Sequence, residues 1–367
     1  MRHGAVLLAA AVLALSCGGG TQTADTFASP KTSATSPRSP SPSPAAAQLT
    51  GSYGLILSAG ALMLIRPDGS LAATVDVAPA STQFCSPQHD GLVAPPPVSA
   101  SNSEVYFRDG DTKIRKLVLP GSAVDVTTVP AGPNMISFFS VSPDDQQIAV
   151  LVVDVTSSTA LTMRLYVEDL RGGGHHVDLF NAQTAKDDRG WTLWPMGWHA
   201  GSLVLAMVKA CSFNSSVVTP SEWHVSNATN GTRLTAIRAS GCTLSNWPSM
   251  SGVACLDGQG ATTRYDWSGK GVAVAAPGVQ GAGFIQAGLS PAGNSVFFAT
   301  GAGAGGPGPG TRIVTGGVPD AAAGHSACLF IDERTLLSPD AVITLAPVAV
   351  KPLAQSGVCA GRFPGGL

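Results

Sequence analysis

Six tryptophans lie between positions 191 and 267, and three of them, Trp191, Trp194 and Trp198, fall within eight residues. Asp187, Asp188 and Arg189 stand just ahead of them. Indole faces beside carboxylates and a guanidinium suit stacking on sugars or on peptide side chains, with the charges fixing orientation. The same rings also suit a structural job, filling the wedge between neighbouring sheets, and the residue types favour that reading. The segment leading into Trp191 is where a ligand is to be sought.

Other chemistry is sparse. His175 and His176 with Asp178 have the residue types of a metal site. Adjacent residues of a strand point to opposite faces, however, so the two imidazoles cannot share an ion without a bulge, and a surface pair is expected. Asp109-Gly110-Asp111 has two carboxylates of a calcium loop without the acidic ligands that should follow, and reads as a hairpin turn. There is no Gly-x-Ser-x-Gly elbow, no P-loop, no His-Glu-x-x-His and no Cys-x-x-Cys, so no cofactor, catalytic residue or metal ligand is assigned. Asn214-Ser215-Ser216 and Asn227-Ala228-Thr229 match glycosylation sequons. The net charge is −2 and the 21 Lys and Arg are scattered, which speaks against nucleic acid as a partner.

The elements that must position these residues are short strands. The chain is 44% hydrophobic and 12% charged, with 43 Gly and 27 Pro placed between short apolar runs. Ser142-Pro143-Asp144-Asp145 is a turn; Ile148 to Val153 is an aliphatic run suited to a strand buried on both faces; Met163, Leu165 and Val167 then alternate with Thr162, Arg164 and Tyr166. Runs like Ile148–Val153 recur around Leu55, Val105, Leu203, Val253, Val296 and Leu336. A period of roughly 40–50 residues with about four strands per repeat predicts an all-β fold, a single β-propeller. Seven blades are expected over 51–367, with six as the alternative because the Leu336 repeat is short. Third strands are expected at Ala61–Ile65, Thr112–Leu117 and from Arg264, with a fourth at Leu71–Val77. The run Gly357–Pro364 is expected to complete the ring by pairing with an early strand, and Gly301–Gly310 to be a flexible loop in the sixth blade. SPDDQQIAVLVV and RLYVEDLRGG resemble the blade pattern of TolB-like and WD-repeat-like propellers of bacterial envelopes, although the Gly-His and Trp-Asp pairs of WD repeats are absent.

At the N-terminus, Arg2 and His3 precede an apolar run from Ala5 to Leu15, the layout of a secretory signal peptide and too short for a comfortable membrane span. Ala14-Leu15-Ser16-Cys17 resembles the lipobox of bacterial lipoproteins, with Ala14 and Leu15 in the reverse of the commoner order. The resemblance implies a signal peptide over 1–16, lipid attachment at Cys17 and a membrane-anchored extracytoplasmic protein. Residues 17–50 are rich in Ser, Thr and Pro, with too little apolar surface to fold, and read as a tether extending at about 3.1 Å per Pro-rich residue.

Six cysteines remain: Cys85, Cys211, Cys242, Cys255, Cys328 and Cys359. An even number in an exported protein suggests disulfides. Cys211 with Cys242 and Cys328 with Cys359 each bracket a blade and are the expected pairs, whereas Cys255, within an apolar strand, reads as a buried thiol. The function expected from all this is a lipid-anchored, non-enzymatic scaffold that binds an envelope protein or saccharide. The alternative is a propeller-type hydrolase or lyase with a metal at the channel mouth, which needs acidic or His side chains converging from several blades.

Overall fold

The computed structural model describes residues 48–81, 85, 91–92, 94–172, 174–187, 189–212, 219–257, 261–274, 284–300 and 309–367. Cys17 and the expected signal peptide lie outside them. All regular elements among the described residues are strands, and they form seven four-stranded antiparallel sheets arranged as a β-propeller and one two-stranded sheet beside them. Each blade runs from an inner to an outer strand. Blade 2 is Val98–Ala100, Val105–Asp109, Lys113–Val118 and Ser122–Thr128. Blade 3 is Met135–Val141, Gln147–Asp154, Ala160–Asp169 and Val177–Ala185. Blade 4 is Trp191–His199, Ser202–Lys209, Glu222–Asn227 and Arg233–Arg238. Blades 5, 6 and 7 begin with Cys242–Leu244, Phe284–Leu289 and Leu329–Asp332.

All seven apolar runs singled out above are second strands, including Thr335–Leu337 of blade 7, whose Leu336 is fully buried. That short strand pairs on both sides, so the count is seven and not six. The reason these runs take the second position is burial. A second strand is flanked in its own sheet by two others and sandwiched between two neighbouring blades, so both faces must be apolar. Ile148, Ala149, Val150 and Leu151 are all fully buried, as are Val296 to Ala299 apart from a trace at Val296. The expected third strands sit in third position as well, at Ala61–Ile65, Lys113–Val118 and Thr262–Tyr265. Of the glycine-rich stretch Gly301–Gly310, only Pro309 and Gly310 belong to the described residues.

The turn from first to second strand is fastened by a buried serine. Ser290 Oγ accepts from the backbone N–H of Asn294 and Ser295, at 3.1 Å each, and Gly293 takes the left-handed conformation that the tight turn requires. Ser101, Ser142 and Ser245 hold the same turn in blades 2, 3 and 5, accepting from Glu104 N, Gln147 N and Ala254 N. All four serines are buried. The hydroxyls answer backbone donors that the tight turn would otherwise leave without acceptors.

Ring closure follows the expectation. Val358–Phe363 lies antiparallel to Tyr53–Ser58, from Tyr53 opposite Phe363 to Leu57 opposite Val358, and serves as the inner strand of blade 1, with Ala61–Ile65 and Leu71–Asp76 as its third and fourth. The disulfide Cys328–Cys359, also expected, ties it to the entry of blade 7.

The other two disulfides correct the sequence reading. Cys211 pairs with Cys85, not Cys242, and Cys242 pairs with Cys255, which is therefore not a free thiol. The physical cause is register. Cys242 stands opposite Asp257 on paired strands, which puts Cys255 diagonally across the ladder, within bridging reach. Cys211 is instead met by the connection between blades 1 and 2. That connection leaves blade 1 after Val77, is pinned by the Asp109-Gly110-Asp111 turn, and reaches blade 4, where Gly91–Leu92 pairs with Cys211–Ser212. The Asp109 carboxylate accepts from Ala78 N at 2.7 Å, and Asp111 accepts from Ser81 N and Ser81 Oγ. The turn expected there is formed, and its carboxylates hold backbone.

Replacing Ser290 by Ala leaves the buried Ser295 N–H, and the more exposed Asn294 N–H, without their acceptor and should cost about 1–3 kcal/mol. Urea unfolding of Ser290→Ala should show a lowered midpoint with an unchanged slope; an unchanged midpoint would remove the serine from its assigned role.

Candidate functional site

The tryptophan cluster divides by position. Trp198 is 2% exposed and its indole Nε1 donates to Ser140 O of blade 3 at 3.4 Å. Trp223 of blade 4 meets Trp267 edge-on, with ring centroids 6.3 Å apart. Trp267 Nε1 donates to Ser249 O at 3.0 Å, and Trp194 is buried in the same core. These four rings fill the wedges around blade 4, as the structural reading expected. Trp247 leans into the axial channel near Gly361. Trp191 alone of the first three is half-buried, at the edge of blade 4.

Of the residues ahead of it, Asp187 and Arg189 are turned toward each other. Asp187 accepts from Arg189 N and Arg189 Nε, both at 2.9 Å, and Gly190 N donates back to Asp187 O. Asp188 lies outside the described residues. Asp187 and Arg189 thus pair within the turn that leads into Trp191. The Trp191 ring is covered on one face by Lys209, whose Nζ lies 4.1 Å from its centroid.

Trp191 does, however, border a cleft of about 480 Å³ between blades 3 and 4. Its wall is apolar: Met163, Leu165, Leu179 and Phe180 from blade 3, and Leu193, Leu205 and Met207 from blade 4. Strand alternation puts them there, because cross-strand partners such as Leu205 and His224, or Met207 and Glu222, share one face of blade 4. The end of the cleft is drawn tight at Gly231, where a Cβ would come within 2.6 Å of Leu179 O.

Four polar residues converge on this face. Glu222 is 5% exposed and is gripped by Arg233 Nη1 at 2.8 Å and Arg238 Nε at 3.0 Å. His224 Nε2 stands 2.8 Å from Glu222 Oε1, off the line of a hydrogen bond. A buried carboxylate shared by two guanidiniums is the geometry in which charge burial is tolerated. Two arginines against one glutamate leave the rim with a positive surplus, and Arg233 lines the cleft itself. The arrangement is a preformed apolar slot with a fixed charge at its mouth, within the size range of binding sites.

The sequence reading missed Glu222, His224, Arg233 and Arg238. The signal was there in part: Glu222-Trp223-His224 places two ionisable groups two apart, hence on one face of a strand. His175 and His176 behave as expected of a surface pair. His175 meets Asp169, while His176 meets Glu168 and, at 3.4 Å, Asp178. Among the described residues no group of three or more His, Cys, Asp or Glu side chains comes together to hold a metal.

No family model matches this chain, and no curated protein matches it. Among solved structures, an oligogalacturonate lyase in complex with manganese aligns over 77% of this chain and 78% of its own, at 9% identity and a TM-score of 0.48. The oligogalacturonate lyase of Vibrio parahaemolyticus aligns over 77% and 79%, at 10% identity and a TM-score of 0.47. A protein of unknown function from Bacteroides caccae aligns over 73% and 91%, at 13% identity and a TM-score of 0.41. At these levels of similarity none of the activities in those names transfers to this chain.

Burial holds the His224 imidazole below its ordinary pKa of 6.5; Arg233 and Arg238 act in the same direction and Glu222 against it. The unfolded chain therefore takes up this proton first as pH falls. Stability is full above about pH 6.5 and declines below it until the folded-state pKa is passed. The urea midpoint should fall between about pH 7 and 5.5, and His224→Gln should flatten that part of the profile. Identical profiles would mean that His224 takes no part.

Proposed function

We propose that this chain is an exported lipoprotein, acylated at Cys17, that displays its propeller as a non-enzymatic binding scaffold for an envelope protein. The observation that carries the reading is the cleft beside Trp191, with its apolar wall and with Arg233, paired to the buried Glu222, in its lining. Such a slot suits an apolar side chain next to an acidic one on a partner's surface. An apolar wall, and an indole face already covered by Lys209, favour protein over saccharide. Three disulfides are compatible with an oxidising, extracytoplasmic setting. Anchoring at Cys17 supplies two or more acyl chains, each contributing about 0.8 kcal/mol per buried methylene, which is what durable membrane attachment needs.

Two measurements test this. Membrane fractionation should find the wild-type protein in the membrane and Cys17→Ser in the soluble exported fraction; a membrane-bound Cys17→Ser would refute the anchor. Crosslinking in whole cells, followed by mass spectrometry, should recover a partner with wild type. Recovery should fall about tenfold with Arg233→Glu, if one rim contact contributes about 1.4 kcal/mol. A partner set unchanged in Arg233→Glu would place the interaction elsewhere on the propeller.

A further inference from the structure

The axial channel contains a guanidinium that no described acidic side chain meets in an ion pair. Arg362 lies on the ring-closing strand, opposite Gly54, and borders two voids in the channel, of about 70 Å³ and about 30 Å³. It has the one charged side chain among the residues around either void; the other side chains there are apolar or Ser, and the main-chain oxygen of Leu367, which also lines the larger void, is bonded to His199 Nδ1 at 2.8 Å. Nη2 donates to Gly366 O at 3.1 Å, and none of its remaining donors has a protein partner among the described residues. The acid whose field reaches it, Glu333, is engaged with the backbone N–H of Ala292 instead. Burial pulls the guanidinium down to about 10, a mark of how poorly its charge is compensated.

A charge taken out of water and given a single neutral acceptor is costly unless an opposite charge joins it. Several features of the void select that partner. A guanidinium presents a planar fork that matches a carboxylate with two parallel hydrogen bonds. Trp247, Met196 and Leu367 wall the larger void with apolar surface, which suits a short alkyl tail and gives nothing to the further charges of a phosphate. At about 70 Å³ the void has room for a few water-sized groups. We propose that the channel beside Arg362 is a binding site for a small aliphatic carboxylate, held through the guanidinium fork. The site is independent of the cleft between blades 3 and 4.

The test uses the purified full chain and acetate as the probe, with chloride at matched ionic strength and pH as the reference. Tm should rise saturably with acetate, by about 2–4 °C, as for a ligand bound by the native state alone. Arg362→Lys keeps the charge and loses the fork, so half-saturation should move to at least about tenfold more acetate. Arg362→Met should not respond at all. An equal response to chloride, a response retained in Arg362→Met, or no response in wild type would each overturn the proposal. Should Arg362→Met fail to fold, ¹³C-acetate NMR on wild type decides: line broadening relieved by excess formate supports the site, and sharp lines overturn it.

Discussion

Strand Val358–Phe363 hydrogen-bonds along Tyr53–Ser58, and without that ladder blade 1 lacks its inner strand and the ring keeps two open edges. Most other strand pairings in the propeller are within a blade, the short pairing of Gly91–Leu92 with Cys211–Ser212 apart. The closing strand alone among the seven blades' strands joins opposite ends of the sequence. The loop it closes is long, but closure entropy grows only with the logarithm of length. Buried Ile56 and Cys359, paired across the seam, and the Cys328–Cys359 bridge hold the junction against that cost. The same strand carries Gly361 and Arg362, so what closes the ring also furnishes its axis.

Radial geometry explains why a cleft forms beside Trp191. Blades diverge from the axis, so the gap between neighbours widens outward and must be filled with ever larger side chains. Around blade 4 the inner part of the wedge is filled by Trp194, Trp198 and Trp223, with Trp267 arriving from blade 5. Between blades 3 and 4 the outer part is left to Leu179, Phe180, Met207 and His224, which do not fill it. The Glu222 cluster stands at this under-filled rim, where two arginines reach solvent while their carboxylate stays buried.

Much of the architecture was legible because it rests on local signals. A strand buried on both faces must be continuously apolar, so the seven second strands could be placed from Leu55 to Leu336. The turns before Val105, Ile148 and Val296 could be recognised from Ser, Pro and Asp or Asn. Apart from the ring-closing strand, the inner strands were less legible: Cys242–Leu244 is three residues long, and without it the diagonal relation of Cys242 to Cys255 is invisible. Cys85 with Cys211 depends on a connection that crosses from blade 1 to blade 4, which no repeat spacing predicts. The site was half legible. Trp191 marked the neighbourhood, but Glu222 and Arg238 sit on strands whose register had to be known before they could be seen as partners.

The bridge from Cys85 to Cys211 has a consequence for resistance to proteolysis. It encloses all of blades 2 and 3 and the first half of blade 4 in one covalent loop, 126 residues from end to end. A protease that cuts any single bond within that loop cannot release a fragment, because both sides of the cut remain joined through sulfur. The Cys328–Cys359 bridge does the same for blade 7. A nicked propeller therefore keeps its pieces at high effective concentration, where they can re-pair their strands and not drift apart.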